Sequence, residues 1–228
     1  MKQQTMPAIV LRRTNYGEAD RIVTFLTPIG KVKAMVKGVR RSKSKLAGGI
    51  ELFSESTITF LETRGDLTRI VSTRLVQHWD GIIGDLQRMM FGYEVMKLMD
   101  KIIEDEAERD YYQLLKSTLE ALGDTSMSLS SVEVWFYARF LNLLGYGLNL
   151  KTTAGGAKLT EDHLYVFDSD AMGFEVRANG EFRADHIKLL RLCLDHQPAF
   201  MKQIKESAKL TSDLKSLLTL EVKHRSTL

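Results

Sequence analysis

Cysteine is nearly absent from this sequence, whose 228 residues include one, Cys193. A lone thiol closes no internal disulfide and supplies no cysteine-based zinc site. A reducing, cytoplasmic setting is therefore expected, with no structural metal and no cofactor. Long apolar runs are missing as well. The first run ends at Leu11, before Arg12 and Arg13, and is shorter than a signal-peptide core requires. The most apolar later stretch, residues 134–144, is interrupted by Arg139 and Asn142, so no bilayer span and no membrane partner are expected.

Motifs that carry catalysis are lacking too. The five histidines, His78, His163, His186, His196 and His224, form no i, i+4 pair and no His-Glu-x-x-His. Asp162-His163 and Asp195-His196 are sequence neighbours, read as surface or core pairs rather than catalytic ones. Gly155-Gly156-Ala157-Lys158-Leu159-Thr160 has the wrong glycine spacing for a phosphate loop, and its lysine precedes Leu159 instead of Ser or Thr. No Gly-x-Ser-x-Gly elbow, internal repeat or low-complexity tract occurs. No enzyme activity is expected.

What is present suits a soluble globular chain of one or two domains: 44% of residues are hydrophobic and 27% charged. The net charge of +3 is unevenly spread. Residues 1–80 hold fourteen Lys and Arg against seven Asp and Glu, while the remainder is mildly acidic. A basic N-terminal part joined to an acidic one points to a polyanion as the partner of the first.

From Pro7 to about Gln77 the pattern is that of β-structure. The strands are expected at residues 6–11, 21–27, 31–37, 57–61 and 67–71, with turns at Pro28-Ile29-Gly30 and Arg64-Gly65-Asp66. In the third, Val32, Ala34 and Val36 alternate with lysines. Five short strands in about seventy residues fit a small closed barrel, with the OB-fold as the leading candidate. From Asp80 onward the period becomes helical. Leu86, Met89, Met90, Tyr93, Met96 and Met99 recur at three- and four-residue spacing. A second helix is expected from Arg109 to Leu122, stopping at Gly123. A third should start at the capping-box pattern Ser130-Ser131-Val132-Glu133 and end near Gly145. Residues 146–183 read as loop with one possible strand at 163–167, and further helices follow from His186. The expected organisation is α+β. An OB-fold barrel occupies residues 1–79, and an α-helical domain occupies 80–228 with an irregular insert at about 146–183.

The most informative segment is Lys37-Gly38-Val39-Arg40-Arg41-Ser42-Lys43-Ser44-Lys45. From Lys31 through Lys33 and Lys37 to Lys45 there are seven basic residues and no acid. The segment links two expected strands and should project as a flexible loop, with Gly48-Gly49 adding freedom. Its cations can neutralise phosphates, and Ser42 and Ser44 can donate to phosphate oxygens. A plain alternative is a solvated loop kept for solubility. Single-strand binders also need stacking platforms. Phe25 and Phe60 lie in strands and read as core, Tyr16 lies in a loop and could stack, and Phe53 is open. With so few aromatics, phosphate contact should dominate and sequence preference should be weak.

Tyr16-Gly17-Glu18-Ala19-Asp20-Arg21-Ile22-Val23, then Phe25-Leu26-Thr27, Gly30-Lys31-Val32 and Lys37 to Ser44 follow one another in an order that resembles the bacterial RecO family of DNA repair proteins. Leu52-Phe53-Ser54 and Arg64-Gly65-Asp66-Leu67 continue the likeness. The helix Phe136-Tyr137-Ala138-Arg139-Phe140-Leu141-Asn142-Leu143-Leu144 ending in Gly145-Tyr146 resembles that family's C-terminal part. The resemblance implies an N-terminal OB-fold and a helical C-terminal domain, binding to single- and double-stranded DNA, and annealing of complementary strands. It also implies a cytoplasmic, nucleoid-associated mediator. The implied partners are RecR, the C-terminal tail of single-stranded DNA-binding protein and, through them, RecA. Many members carry two Cys-x-x-Cys pairs after the Gly-Tyr and bind zinc. Here those places read Lys151-Thr152-Thr153-Ala154-Gly155-Gly156 and Gly173-Phe174-Glu175-Val176-Arg177-Ala178-Asn179, which resembles a zinc-free branch.

DNA contact is thus expected from Lys31, Lys33, Lys37, Arg40, Arg41, Ser42, Lys43, Lys45 and Tyr16. The same electrostatics would serve an OB-fold adaptor that binds RNA. Met89, Met90, Met96 and Met99 could line a peptide groove, though core packing is the commoner use of such a stripe. Arg139 is a lone cation in an apolar helix. It is either paired or snorkelling, or it anchors the carboxylate of an acidic partner tail.

Overall fold

The structure is a computed structural model and describes residues 3–63, 67–103, 109–204 and 208–225. The alternation in the third expected strand sets the inside of a barrel. Val32, Ala34 and Val36 are buried while Lys33 and Lys37 are exposed. Five strands, β1 (Gln3–Tyr16), β2 (Asp20–Thr27), β3 (Gly30–Val36), β4 (Ser54–Leu61) and β5 (Thr68–His78), close in the order β1-β2-β3-β5-β4. This is the OB-fold arrangement, with β3 and β5 parallel and the other pairs antiparallel. Val10, Val23, Phe25, Ile58, Phe60 and Ile70 fill the interior with the β3 residues, and Val39 and Ile50 pack with them.

Two strands run longer than their apolar patterns suggest. The first half of β1 pairs with β4 and the second with β2, across an irregularity between Val10 and Arg12. One strand that serves two neighbours must outlast the short run that ends at Leu11. β5 continues to His78 along β4, although most of its residues are exposed. The Arg64-Gly65-Asp66 turn lies outside the described residues.

Gly48-Gly49 does not act as a hinge. Ala47–Ile50 is a 3₁₀ turn, and a Cβ on Gly49 would overlap the Thr73 side chain. Thr73 Oγ1 in turn donates to the Leu46 carbonyl at 3.2 Å. Gly49→Ala is expected to destabilise the chain by about 1–3 kcal/mol through overpacking, read from a urea unfolding curve. Gly48 has open space, so Gly48→Ala should be close to neutral.

Helices α1 (Asp80–Ile83), α2 (Leu86–Ile102) and α3 (Arg109–Gly123) pack with the barrel, and the first compact unit runs Met1–Asp124. The period changes at Asp80, but the division in packing falls forty-four residues later. Ionic and aromatic ties explain the difference. Buried Glu55 accepts from Tyr112 and lies 2.8 Å from the Lys116 ammonium. Arg12 meets Asp100 at 2.7 Å. Phe53, buried and at φ +56°, sets its ring edge-on to Tyr93 and close over Gly92. On α2, Met96 and Met99 are core, whereas Leu86, Met90 and Tyr93 face outward, because Phe91 and Val95 take the inner face.

The second unit, Thr125–Leu228, is built on α4 (Leu129–Leu143), which is buried nearly all round. Ser128 is its N-cap, two residues before the expected capping box, and makes no side-chain cap. Glu133 instead pairs with Lys215 at 2.7 Å. Residues 146–183 are not mere loop. β6 (Asn149–Thr153), β7 (Tyr165–Asp168) and β8 (Gly173–Val176) form a sheet in the order β6-β8-β7. Phe174 at its centre meets Phe167 and Phe182 at 5.3 and 5.6 Å. The segments 151–156 and 173–179 thus include neighbouring strands, β6 and β8, which pair in parallel. Then come α5 (Ala184–Asp195), a 3₁₀ turn at Pro198–Gln203 and α6 (Ala208–Arg225).

Candidate nucleic-acid interface

The basic segment leaves β3 at Val36 and is anchored at its root. Gly38, at φ +64°, takes the left-handed turn that an L side chain resists. Its N–H donates to Asp20 Oδ1 at 2.7 Å. Val39 is 3% exposed and packs into the barrel core. Arg40 N–H donates to the Ala19 carbonyl at 2.9 Å, and its Nη1 donates to the Gly17 carbonyl at 3.0 Å. Beyond the root, Arg41 N–H reaches Gly38 O, Ser44 N–H reaches Arg41 O, and Leu46 N–H reaches Ser44 Oγ. The loop expected to be flexible is therefore a chain of turns tied to the β1–β2 hairpin, and the amides of Gly38, Arg40, Arg41, Ser44 and Leu46 are satisfied locally.

Lys37, Arg40, Arg41, Ser42, Lys43 and Lys45 are exposed along this segment. Tyr16 is 55% exposed. It ends β1, opposite Asp20, instead of lying in a loop. The Gly17 carbonyl beside it holds Arg40, so ring and guanidinium share the hairpin end. Such an arrangement offers cations to phosphates and one aromatic face to a base.

Lys31 does not belong to this surface. Its ammonium donates to the Asp100 main-chain carbonyl at 2.9 Å, and its side chain is 10% exposed. It is the second residue of β3, and Lys37 follows the strand's end, about 20 Å away at 3.3 Å per residue. Lys33 is exposed on the outer face of β3 opposite Thr24, apart from the loop. Phe25 and Phe60 are buried in the barrel as expected, and Phe53 packs on α2.

In the second unit Arg139 faces its own protein. Its Nε donates to the Cys193 carbonyl and its Nη2 to the His196 carbonyl, both at 2.9 Å. Its guanidinium lies 5.3 Å from the Trp135 ring. Burial lowers its pKa, but an arginine remains charged. One edge of the fork therefore caps the C-terminal end of α5 and is not held out for a carboxylate. Arg88 does the same for α3 in the first unit, donating to the Leu122 carbonyl at 2.9 Å. Sequence alone gives no sign of either use, because the accepting carbonyls are thirty-four to fifty-seven residues away.

His163, His186 and His196 make contacts close in sequence. His163 Nδ1 lies 2.7 Å from Thr160 Oγ1, His196 stacks on Phe200, and His186 accepts the Arg183 N–H. Gly155 N–H, in the glycine pair that lacks phosphate-loop spacing, donates to Glu175 Oε1. Burial pushes the Tyr112 phenol well up, and the Glu55 hydrogen bond and charge add to it. Among the described residues no helix is long and apolar enough to cross a membrane.

Residues 1–79 match the family model described as recombination protein O N terminal, and residues 83–225 match recombination protein O C terminal. The chain is similar to the DNA repair protein RecO of a Roseiflexus species, at 35% identity over 68% of this chain and 54% of that protein. It is similar to the DNA repair protein RecO of Dehalococcoides mccartyi at 33% identity, over 64% and 58%. For the protein of that name from Bifidobacterium longum subsp. infantis the identity is 30%, over 77% and 79%. The match thus spans little more than half the length of the first two relatives.

Proposed function

The chain belongs to the recombination protein O family, and from that premise we propose that it is a DNA-binding recombination mediator whose tied basic segment is the DNA contact. The observation that carries the reading is the row of five exposed cations, Lys37, Arg40, Arg41, Lys43 and Lys45, on one anchored segment of an OB-fold barrel. Each cation displaces counterions from a phosphate, and Ser42 adds a donor. Neutralising two strands on one surface lowers their mutual repulsion and lets complementary bases meet, which is how the chain anneals DNA. Tyr16 adds stacking that every base can use, so sequence preference is weak. Lys33 extends the positive surface along β3.

The same reading includes the partners implied by the family: RecR, the acidic C-terminal tail of single-stranded DNA-binding protein, and RecA through them. A tail that bound the basic segment would compete with DNA, so the second unit is the better place for it. There, any contact through Arg139 must use the Nη1 edge left by the α5 cap.

The deciding measurement is the affinity for labelled single-stranded DNA and RNA across a salt series, with annealing followed in parallel. If all five cations engage, log affinity should fall against log salt with a slope of about −3.5. A slope near zero, or RNA held more tightly than DNA, would contradict the proposal.

A further inference from the structure

The root of the basic segment is held by one short turn. Between Tyr16 and Asp20, residues 17–19 close the β1–β2 hairpin, and this turn, with Asp20 at its end, makes three contacts to the segment's start. These are the Asp20 carboxylate to the Gly38 N–H, the Ala19 carbonyl to the Arg40 N–H, and the Gly17 carbonyl to Arg40 Nη1. The first is the only one in which a side chain of the turn takes part. Asp20 is half-buried, one residue before Arg21, which pairs with Val36 at the last position of β3. Its carboxylate therefore sits where the chain leaves the sheet. Gly38 turns there through a left-handed conformation, and Val39 enters the core immediately after.

A negative charge at the root of a cationic segment works against phosphate binding. By charge alone, its removal should tighten the DNA complex. We propose that Asp20 is a positioning residue for DNA binding: it accepts the Gly38 N–H and so keeps the cations of residues 37–45 in one arrangement. This inference rests on the reading of that segment as the DNA contact. Without the acceptor, the root residues regain backbone freedom that binding must then remove. The structural and electrostatic effects of Asp20 thus have opposite signs and can be separated. Asparagine keeps the oxygen and discards the charge, while alanine discards both.

The test titrates a labelled single-stranded oligonucleotide with the full chain, D20A, D20N and the fourfold Arg40, Arg41, Lys43 and Lys45 to Ala variant. Hydrogen exchange at the Gly38 and Arg40 amides is followed alongside. D20A should lose about ten-fold in affinity, the scale of a few re-ordered residues, and both amides should exchange faster. D20N should bind at least as tightly as the unmodified chain and keep its amide protection. Should D20A fail to fold, D20S, too short to reach Gly38, replaces it with the same expectation. If D20A binds as tightly as D20N, or if D20N is as weak as D20A, the positioning role is refuted. If the fourfold variant binds like the unmodified chain, the DNA reading of the segment falls and takes this inference with it. If the fourfold variant loses DNA while D20A and D20N bind alike, only the inference falls.

Discussion

Replacing Arg40, Arg41, Lys43 and Lys45 together with alanine is expected to weaken single-stranded DNA binding by about 100- to 1,000-fold near 0.1 M salt. The size follows from counterion release. Four phosphate contacts on a single strand contribute about 2.8 to the salt slope, which at that concentration is nearly three decades of affinity. The slope itself should flatten by the same amount, a signature that a change of shape alone would not give. The fold should survive. All four side chains are exposed, and only Arg40 makes a tie to the turn, through Nη1 to the Gly17 carbonyl. Exposed side chains of this kind contribute within about 0.5 kcal/mol each, and the Arg40 tie adds about 1 kcal/mol. Anisotropy titrations across salt, paired with a urea unfolding curve, report both quantities. A normal unfolding curve with unchanged affinity would remove the segment from the DNA surface.

Arg139→Ala is expected to cost the second unit about 2–4 kcal/mol. The guanidinium makes charge-assisted bonds to the Cys193 and His196 carbonyls and lies over Trp135. It also sets a positive charge at the negative end of α5. Truncation strips the cap from Cys193, while the His196 carbonyl keeps the Trp135 Nε1–H at 2.8 Å. The chain has two tryptophans, Trp79 in the first unit and Trp135 in the second, so a Trp79→Phe background lets fluorescence follow the second unit alone. Arg139→Lys should recover only part of the loss, since an ammonium cannot span both carbonyls as the planar fork does. If Arg139→Ala keeps its stability and instead stops binding an acidic tail peptide, the residue is a partner contact and the cap is incidental.

Short-range pattern carried much of this protein. Alternation in residues 31–37 was enough to place Val32, Ala34 and Val36 inside and Lys33 and Lys37 outside, because a strand has period two whatever it pairs with. The period change at Asp80 marked where helices begin, and the division between the two family models falls at the same place. α3 starts at Arg109, and its C-terminal glycine was legible at Gly123. The basic segment was legible as charge, since its cations are neighbours in sequence.

Contacts between distant residues decided the rest. Lys31 has the composition of a DNA contact, but Asp100, sixty-nine residues on, holds its ammonium. Arg139 has the chemistry of a carboxylate anchor, but the carbonyls that end α5 claim its fork. Asp20 counted only as one acid in a basic domain until the barrel brought Gly38 to it. β6 and β8 read as loop because strands of four and five residues show too little alternation, and their order depends on the packing of Phe174 against Phe167 and Phe182. Local sequence determines which conformations and charges each segment can offer. Which of those charges remain free for a ligand is decided by the partners that folding places around them.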